Sequence, residues 1–185
     1  MSVTAIVLAG GRGSRLGGVD KASLTRGGIT LLDALLAALP TDWPVVVAGS
    51  PRSTQRSVRW AQEQRPFGGP VAGLAAALPL VDTAQVALIA VDMPHAAVLL
   101  PGLAAHEWRS PADIAISVDS EGRRQQLVCV ANTAALVAAV AGIGEPYGAA
   151  MRDVQELMSV VEVPCGDDRL VVDIDTADDA RVLLD

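Results

Sequence analysis

Residues 8 to 21 read Leu-Ala-Gly-Gly-Arg-Gly-Ser-Arg-Leu-Gly-Gly-Val-Asp-Lys, so five of fourteen positions are glycine and three, Arg12, Arg15 and Lys21, are cations. Bare backbone lets N–H groups approach an anion without interference from a β-carbon, and consecutive N–H groups in a turn form an anion-binding nest. Fixed cations beside such a turn add charge stabilisation for a bound anion. The loop follows the apolar run Thr4-Ala5-Ile6-Val7, so it stands at the end of a strand. A glycine-rich turn with solvated arginines is the plain alternative, because glycine clusters alone are weak signals.

Two phosphate-binding motifs are excluded. The pattern GxxxxGK[ST] fails because Lys21 follows Asp20 and precedes Ala22. The dinucleotide pattern GxGxxG fails at Leu16, and the acid it requires at the end of the second strand is replaced by Ala48-Gly49-Ser50. A second chemical candidate is Asp92, in Val91-Asp92-Met93-Pro94. A carboxylate at a strand end suits Mg2+, which takes one or two carboxylates beside phosphate oxygens and water. It equally suits a helix cap. The chain has only two histidines. His95 reads as a solvent-facing helix-start residue or a pocket residue, and His106 as surface.

These groups must be positioned by alternating strands and helices. Strands are expected at residues 4–8, 45–47, 58–60, 86–91, 114–116, 127–130, 160–163 and 171–174, from their short apolar or alternating runs. The run at 86–91 is apolar on both faces and is expected at the centre of the sheet. Helices are expected from Thr30 to Leu39, from Pro70 to Ala77, after Pro94 up to Trp108, from Asn132 to Val140, from Ala149 to Leu157 and from Thr176 to Leu184. Thr30 with Asp33 and Thr176 with Asp179 have capping-box spacing, and Pro70 suits a first helical turn. This rhythm implies one α/β domain over residues 1–185: a doubly wound, mostly parallel sheet with helices on both faces, binding its ligand at the carboxyl edge.

Composition narrows the function. The residues are 51% apolar but only 3% aromatic, so the core is built from Ala, Val, Leu and Ile. A net charge of −7 argues against a nucleic-acid partner. The charge-free stretch from Pro70 to Val81 contains Gly73 and Pro79 and is too short for a bilayer, so no membrane partner is expected. No basic region precedes the first apolar run, and a cytoplasmic protein is expected. Cys129 and Cys165 have neither zinc-site nor disulfide-framework spacing.

Residues 8–21 resemble the LAGG-x-S/G-x-R-M/L-G-x-x-K signature of nucleoside-triphosphate transferases, and most of all the molybdenum cofactor guanylyltransferases, the MobA-like branch. The likeness continues in order: Gly69-Pro70-Val71-Ala72-Gly73 matches that family's GPLAG segment, Val91-Asp92-Met93-Pro94 its CDMP segment, and Asp173-Ile174-Asp175-Thr176 its terminal N/D-x-N/D-T. The resemblance implies a Rossmann-like nucleotidyltransferase fold and transfer of GMP from GTP to the phosphate of molybdopterin, with release of pyrophosphate. It implies that Leu8, Ala9 and Gly10 contact base and sugar, that Gly11, Gly13 and Gly17 fold over phosphate, and that Gly69 also meets the nucleotide. It makes Arg15, Lys21 and Asp92 the catalytic set, with Asp92 and Asp175 as ligands of Mg2+. Thr176 beside Asp175 also reads as a cap, and Asp173 as structural. Arg123 and Arg124 match the turn facing the acceptor, where they meet a pterin phosphate or only solvent.

Two departures bear on the base. The aspartate that such enzymes usually carry before GPLAG is missing from Gln62-Glu63-Gln64-Arg65-Pro66-Phe67-Gly68, leaving Glu63 or Gln64 to take its part. Asp173 and Asp175 stand where that branch commonly has asparagine, as in cytidylyltransferase relatives, and Ala48 replaces a polar contact. A cytidylyltransferase acting on molybdopterin or another small phosphate, and a non-catalytic nucleotide-binding protein, are the competing expectations.

Overall fold

Every residue of β1 (Val3–Leu8) is buried, because this strand runs inside a sheet covered on both faces. In the computed structural model, which describes residues 2–10, 20–109 and 112–173, β1 is flanked by β4 (Val45–Ala48) and β6 (Gln85–Ala90), both parallel to it. β5 (Arg59–Ala61) adds to β4 in parallel. On the other side β8 (Arg124–Asn132) pairs antiparallel with β6 and with β7 (Ile114–Val118), and β9 (Val160–Pro164) closes the sheet parallel to β7. The order is β5-β4-β1-β6-β8-β7-β9, so β6 is the central strand, as its two-sided apolar run requires. β8 runs against its neighbours because the turn joining it to β7 is too short for a crossover.

Alternation along β1 supplies both layers. Val3, Ala5 and Val7 pack on one face with Leu32, Leu35 and Leu36 of α1 (Leu31–Ala38) and Leu103 of α3 (Leu100–Arg109). Ile6 and Leu8 pack on the other with Leu74 of α2 (Pro70–Ala77), Leu136 of α4 (Thr133–Ile143) and Val154 of α5 (Met151–Gln155). The caps follow the sequence. Thr30 Oγ1 accepts from Asp33 N at 3.0 Å, and Asn132 Oδ1 accepts from Ala135 N at 3.0 Å. Asp33 Oδ2 accepts from the Thr30 hydroxyl at 2.7 Å, and its Oδ1 accepts from Gln55 N at 2.8 Å.

Three expectations change. Residues 25–30 form a hairpin, β2 (Thr25–Arg26) with β3 (Ile29–Thr30). Its turn residues Gly27 and Gly28 have φ of 56° and 84°, as a primed two-residue turn demands. The helix after Pro94 begins as a 3-10 segment, Pro94–Leu99, before α3. The strand expected at 171–174 is absent from its described part: Val171 ends a 3-10 turn, Asp168–Val171, and Val172 and Asp173 have no regular structure. Asp167 starts that turn by accepting from Arg169 N at 3.0 Å, a local cap that outcompetes extension. Ile174 and the helix expected at 176–184 lie outside the described residues.

The connections after β1 and β6 leave in opposite directions along the sheet, the first toward β4 and the second toward β8. Their carboxyl ends therefore border a crevice at the topological switch point, where open α/β sheets bind ligands.

Candidate active site

A cleft of about 370 Å³ opens at this point, lined by Leu8, Ala9 and Gly10 after β1, by Asp20 and Lys21, and by Val91 and Asp92 after β6. Ala48, Glu63, Phe67, Gly69 and Gly73 line its far side. A contiguous recess continues over β4 and β5, where Gly49, Ser50, Arg52 and Gln62 join Glu63 and Phe67.

Lys21 is presented by local chemistry. Asp20 caps the 3-10 turn Lys21–Ser23 by accepting from Ala22 N at 3.0 Å, and the Ala22 side chain is fully buried. That anchor aims Lys21 across the switch point, where Nζ donates to Asp92 Oδ2 at 2.7 Å, both side chains about one-fifth exposed. The helical turn after Asp92 is begun by Met93 without a side-chain cap, so the Asp92 carboxylate is engaged by a cation and not by a helix N-terminus. Arg52, which the sequence did not single out, sits on the other side of Asp20, 2.6 Å from Oδ2.

The far side is built around Glu63. Its Oε2 accepts from Gly68 N at 2.7 Å. Its Oε1 lies 3.5 Å from where a β-carbon on Gly73 would stand and 3.7 Å from one on Gly10, so the carboxylate rests between two glycine backbones on the cleft floor. Gly68 admits no side chain, since a β-carbon there would lie 2.6 Å from Ala72 Cβ. Gly69 has φ of 89° and begins α2 with Pro70 at the first helical position.

The structure thus brings Leu8, Ala9, Gly10, Lys21, Glu63, Gly69 and Asp92 to one cleft. Gln64 is exposed and is not among the lining residues. Gly11, Gly13, Arg15 and Asp175 lie outside the described residues. Arg123 and Arg124 do not line the cleft. Arg123 Nε is 2.8 Å from Asp119 Oδ2, and Arg124 Nε is 2.7 Å from Glu162 Oε1, which neutralises both within their own sheet edge. His95 is half-buried and His106 exposed, and neither is among the lining residues.

Chemically, the arrangement offers a cation and a carboxylate in contact at one end and a carboxylate beneath a glycine-lined recess at the other. Among the described lining residues, Asp20, Glu63 and Asp92 face only Lys21 and Arg52 as cations. A polyphosphate would add negative charge to this excess, and a divalent cation held by Asp92 and phosphate oxygens fits it. An ionised carboxylate offers about four acceptor positions, and Lys21 takes one.

The family model described as MobA-like NTP transferase domain matches residues 5–159. A molybdenum cofactor guanylyltransferase of Bordetella petrii is 32% identical over 143 residues, 72% of this chain and 73% of that protein. One of Cupriavidus metallidurans is 31% identical over 97% of this chain and 93% of its own. Among solved structures, molybdopterin-guanine dinucleotide biosynthesis protein A of Archaeoglobus fulgidus superposes with a TM-score of 0.74 at 21% identity, covering 99% of this chain and 96% of that one. The 2-C-methyl-D-erythritol 4-phosphate cytidylyltransferase of Thermus thermophilus gives 0.74 at 22% identity, covering 99% and 97%. At such identities the two structures speak to the fold alone.

Proposed function

The chain belongs to the family of MobA-like NTP transferase domains, and within it we propose that this protein transfers GMP from GTP to the phosphate of a molybdopterin-type acceptor. The observation that carries the reading is the Lys21–Asp92 pair at the switch point, continuous with the recess over Glu63. The relatives named as molybdenum cofactor guanylyltransferases support the choice of base and acceptor.

In this reading the acceptor's phosphate oxygen attacks the α-phosphorus of GTP in line. The bond from that phosphorus to the β-bridging oxygen breaks, and its electron pair leaves with pyrophosphate. A phosphate monoester is already largely ionised at neutral pH, so no general base is needed. Lys21 neutralises charge on the polyphosphate, and the residues over β1 and β6 hold donor and acceptor in line. Asp92 would hold Mg2+ beside phosphate oxygens and water; when bound, the ion supplies Lewis-acid stabilisation of phosphoryl oxygens. Glu63 would accept from the N1–H and amino group of guanine, taking the part that the resemblance gives to an aspartate before GPLAG.

A thermal-shift panel with GTP, CTP, ATP and UTP, with and without Mg2+, tests this reading. The largest stabilisation is expected with GTP and Mg2+, on the order of 2.7 kcal/mol at a hundredfold excess over Kd. CTP giving the largest shift would move the assignment to a cytidylyltransferase, and no shift with any nucleotide would defeat it. Glu63→Gln should weaken GTP binding while leaving ATP binding nearly unchanged, because the amide presents a donor to guanine's donors. Equal losses for both would remove Glu63 from base recognition.

A further inference from the structure

Phe67 is the single non-glycine residue, among those described, whose backbone has positive φ, at 66°, and 56% of its surface is exposed. Both facts run against ordinary preference. A residue with a β-carbon is disfavoured in the left-handed region, where glycine fits freely. A phenyl ring at the surface also forgoes the stabilisation that burial would bring. Pro66 and Phe67 are the turn residues here, and a turn with proline first asks positive φ of the next residue, a place that glycine or asparagine ordinarily takes.

Its position is imposed from both sides. Glu63 Oε2 holds Gly68 N at 2.7 Å, and Gly68 O accepts from Gly148 N at 2.7 Å. Two residues earlier, the Arg65 guanidinium lies 4.2 Å over the Tyr147 ring. The segment is therefore tied back to Glu63 after β5 and to the chain at Tyr147 and Gly148, and Phe67 stands where the cleft and its recess meet, lining both. Strain that the surroundings over-determine is characteristic of ligand clamps.

We propose that the Phe67 ring is the stacking platform for the base of the bound nucleoside triphosphate, an inference that rests on the nucleotidyl-transfer reading above. With the polyphosphate at Lys21 and Asp92, at the β1–β6 boundary, the base lies toward β4 and β5. The ends of β6 and β5 are three strand spacings apart, on the order of 14 Å. There Glu63 meets the edge of the base and Phe67 its face. The two contributions differ in kind: edge contacts discriminate between bases, whereas stacking serves every base, because each has a π-face.

The test is titration calorimetry of the full chain and its variants with GTP, ATP and inorganic tripolyphosphate in Mg2+. Phe67→Ala should weaken GTP and ATP by a similar factor, roughly 5- to 100-fold, and leave tripolyphosphate unchanged. Phe67→Trp should bind GTP at least as tightly as the parent. Phe67→Gly should lose binding like Phe67→Ala while melting no lower than Phe67→Ala, since glycine accepts the positive φ. If the parent binds GTP and Phe67→Ala binds it equally well, the platform is wrong and the nucleotide reading stands. If the parent binds tripolyphosphate but no nucleotide better, or binds none of the three, both fall.

Discussion

Lys21 and Asp92 lie 71 positions apart in the chain and meet at 2.7 Å, and what each does can be separated by mutation. Lys21→Ala should lower kcat roughly 100- to 1000-fold, the scale of losing one preorganised charge-stabilising donor. The fold should persist, because the side chain belongs to no core. Asp92→Asn should abolish Mg2+-dependent transfer yet cost about 1 kcal/mol or less in the unliganded protein, as partly exposed ion pairs do. Wild-type turnover in the first variant, or a large stability loss with activity kept in the second, would make the pair structural. These two residues were legible in the sequence because a polar loop and a strand-end acid announce themselves by type and spacing. Arg52 and Phe67 were not. Arg52 acquires its role only when the segment between β4 and β5 folds back onto Asp20, and the positive φ of Phe67 leaves no mark in residue type. Which of Glu63 and Gln64 lines the cleft likewise waited for the path of the loop, which turns Glu63 onto the cleft floor and leaves Gln64 exposed.

Among the elements, α1 shows how a single side chain closes what the sequence leaves open. The Arg56 guanidinium donates to the carbonyls of Leu36 and Leu39 at 3.0 and 3.2 Å and to those of Pro40 and Trp43 at 2.7 and 2.6 Å. It satisfies the unpaired carbonyls at the helix end and complements the dipole. Arg56→Ala should cost on the order of 2–3 kcal/mol, lowering Tm by roughly 5–10 °C in a chain of this size, measurable by the fluorescence of buried Trp43. An unchanged Tm would show that water replaces the guanidinium fully. The β7–β8 turn gives a pH signature. Asp119 is nearly buried and accepts from Arg123 Nε, Arg123 N and Glu121 N. The Arg123 side chain first, and then its backbone N–H, hold the Asp119 carboxyl below the usual aspartate range. The folded state thus binds this proton less readily than the unfolded state. The stabilisation is complete above about pH 3.9, the ordinary aspartate value, and disappears as pH falls through the lowered folded value. Asp119→Asn should therefore be less stable than the parent at pH 6 and lose less stability between pH 4 and pH 2. Parallel acid profiles would contradict it. Capped helices and apolar strands were readable from local pattern. The strand expected at 171–174 was not, since a cap at Asp167 and burial of Val171 in the core decide that segment together.

For the molecule as a whole, the class of fold was written in the alternation of strand and helix, and the layout of the sheet was not. That β8 inserts between β6 and β7, or that Gly49 approaches the Ala9 backbone so closely that a β-carbon would come within 3.3 Å, depends on contacts between distant segments. Those contacts create the switch point, and the switch point makes a loop after β1 and an acid after β6 into one site. No helix among the described residues is long and apolar enough to cross a membrane. The central claim is that this site moves a GMP group, and the direct measurement follows the label. With α-32P-labelled GTP, Mg2+ and a molybdopterin acceptor, label should pass into a dinucleotide product with one pyrophosphate released per transfer, more slowly from ATP or CTP, and with Lys21→Ala nearly inactive. Pyrophosphate release without labelled product, label transferred preferentially from CTP, or a Lys21→Ala variant as fast as the parent would contradict the account.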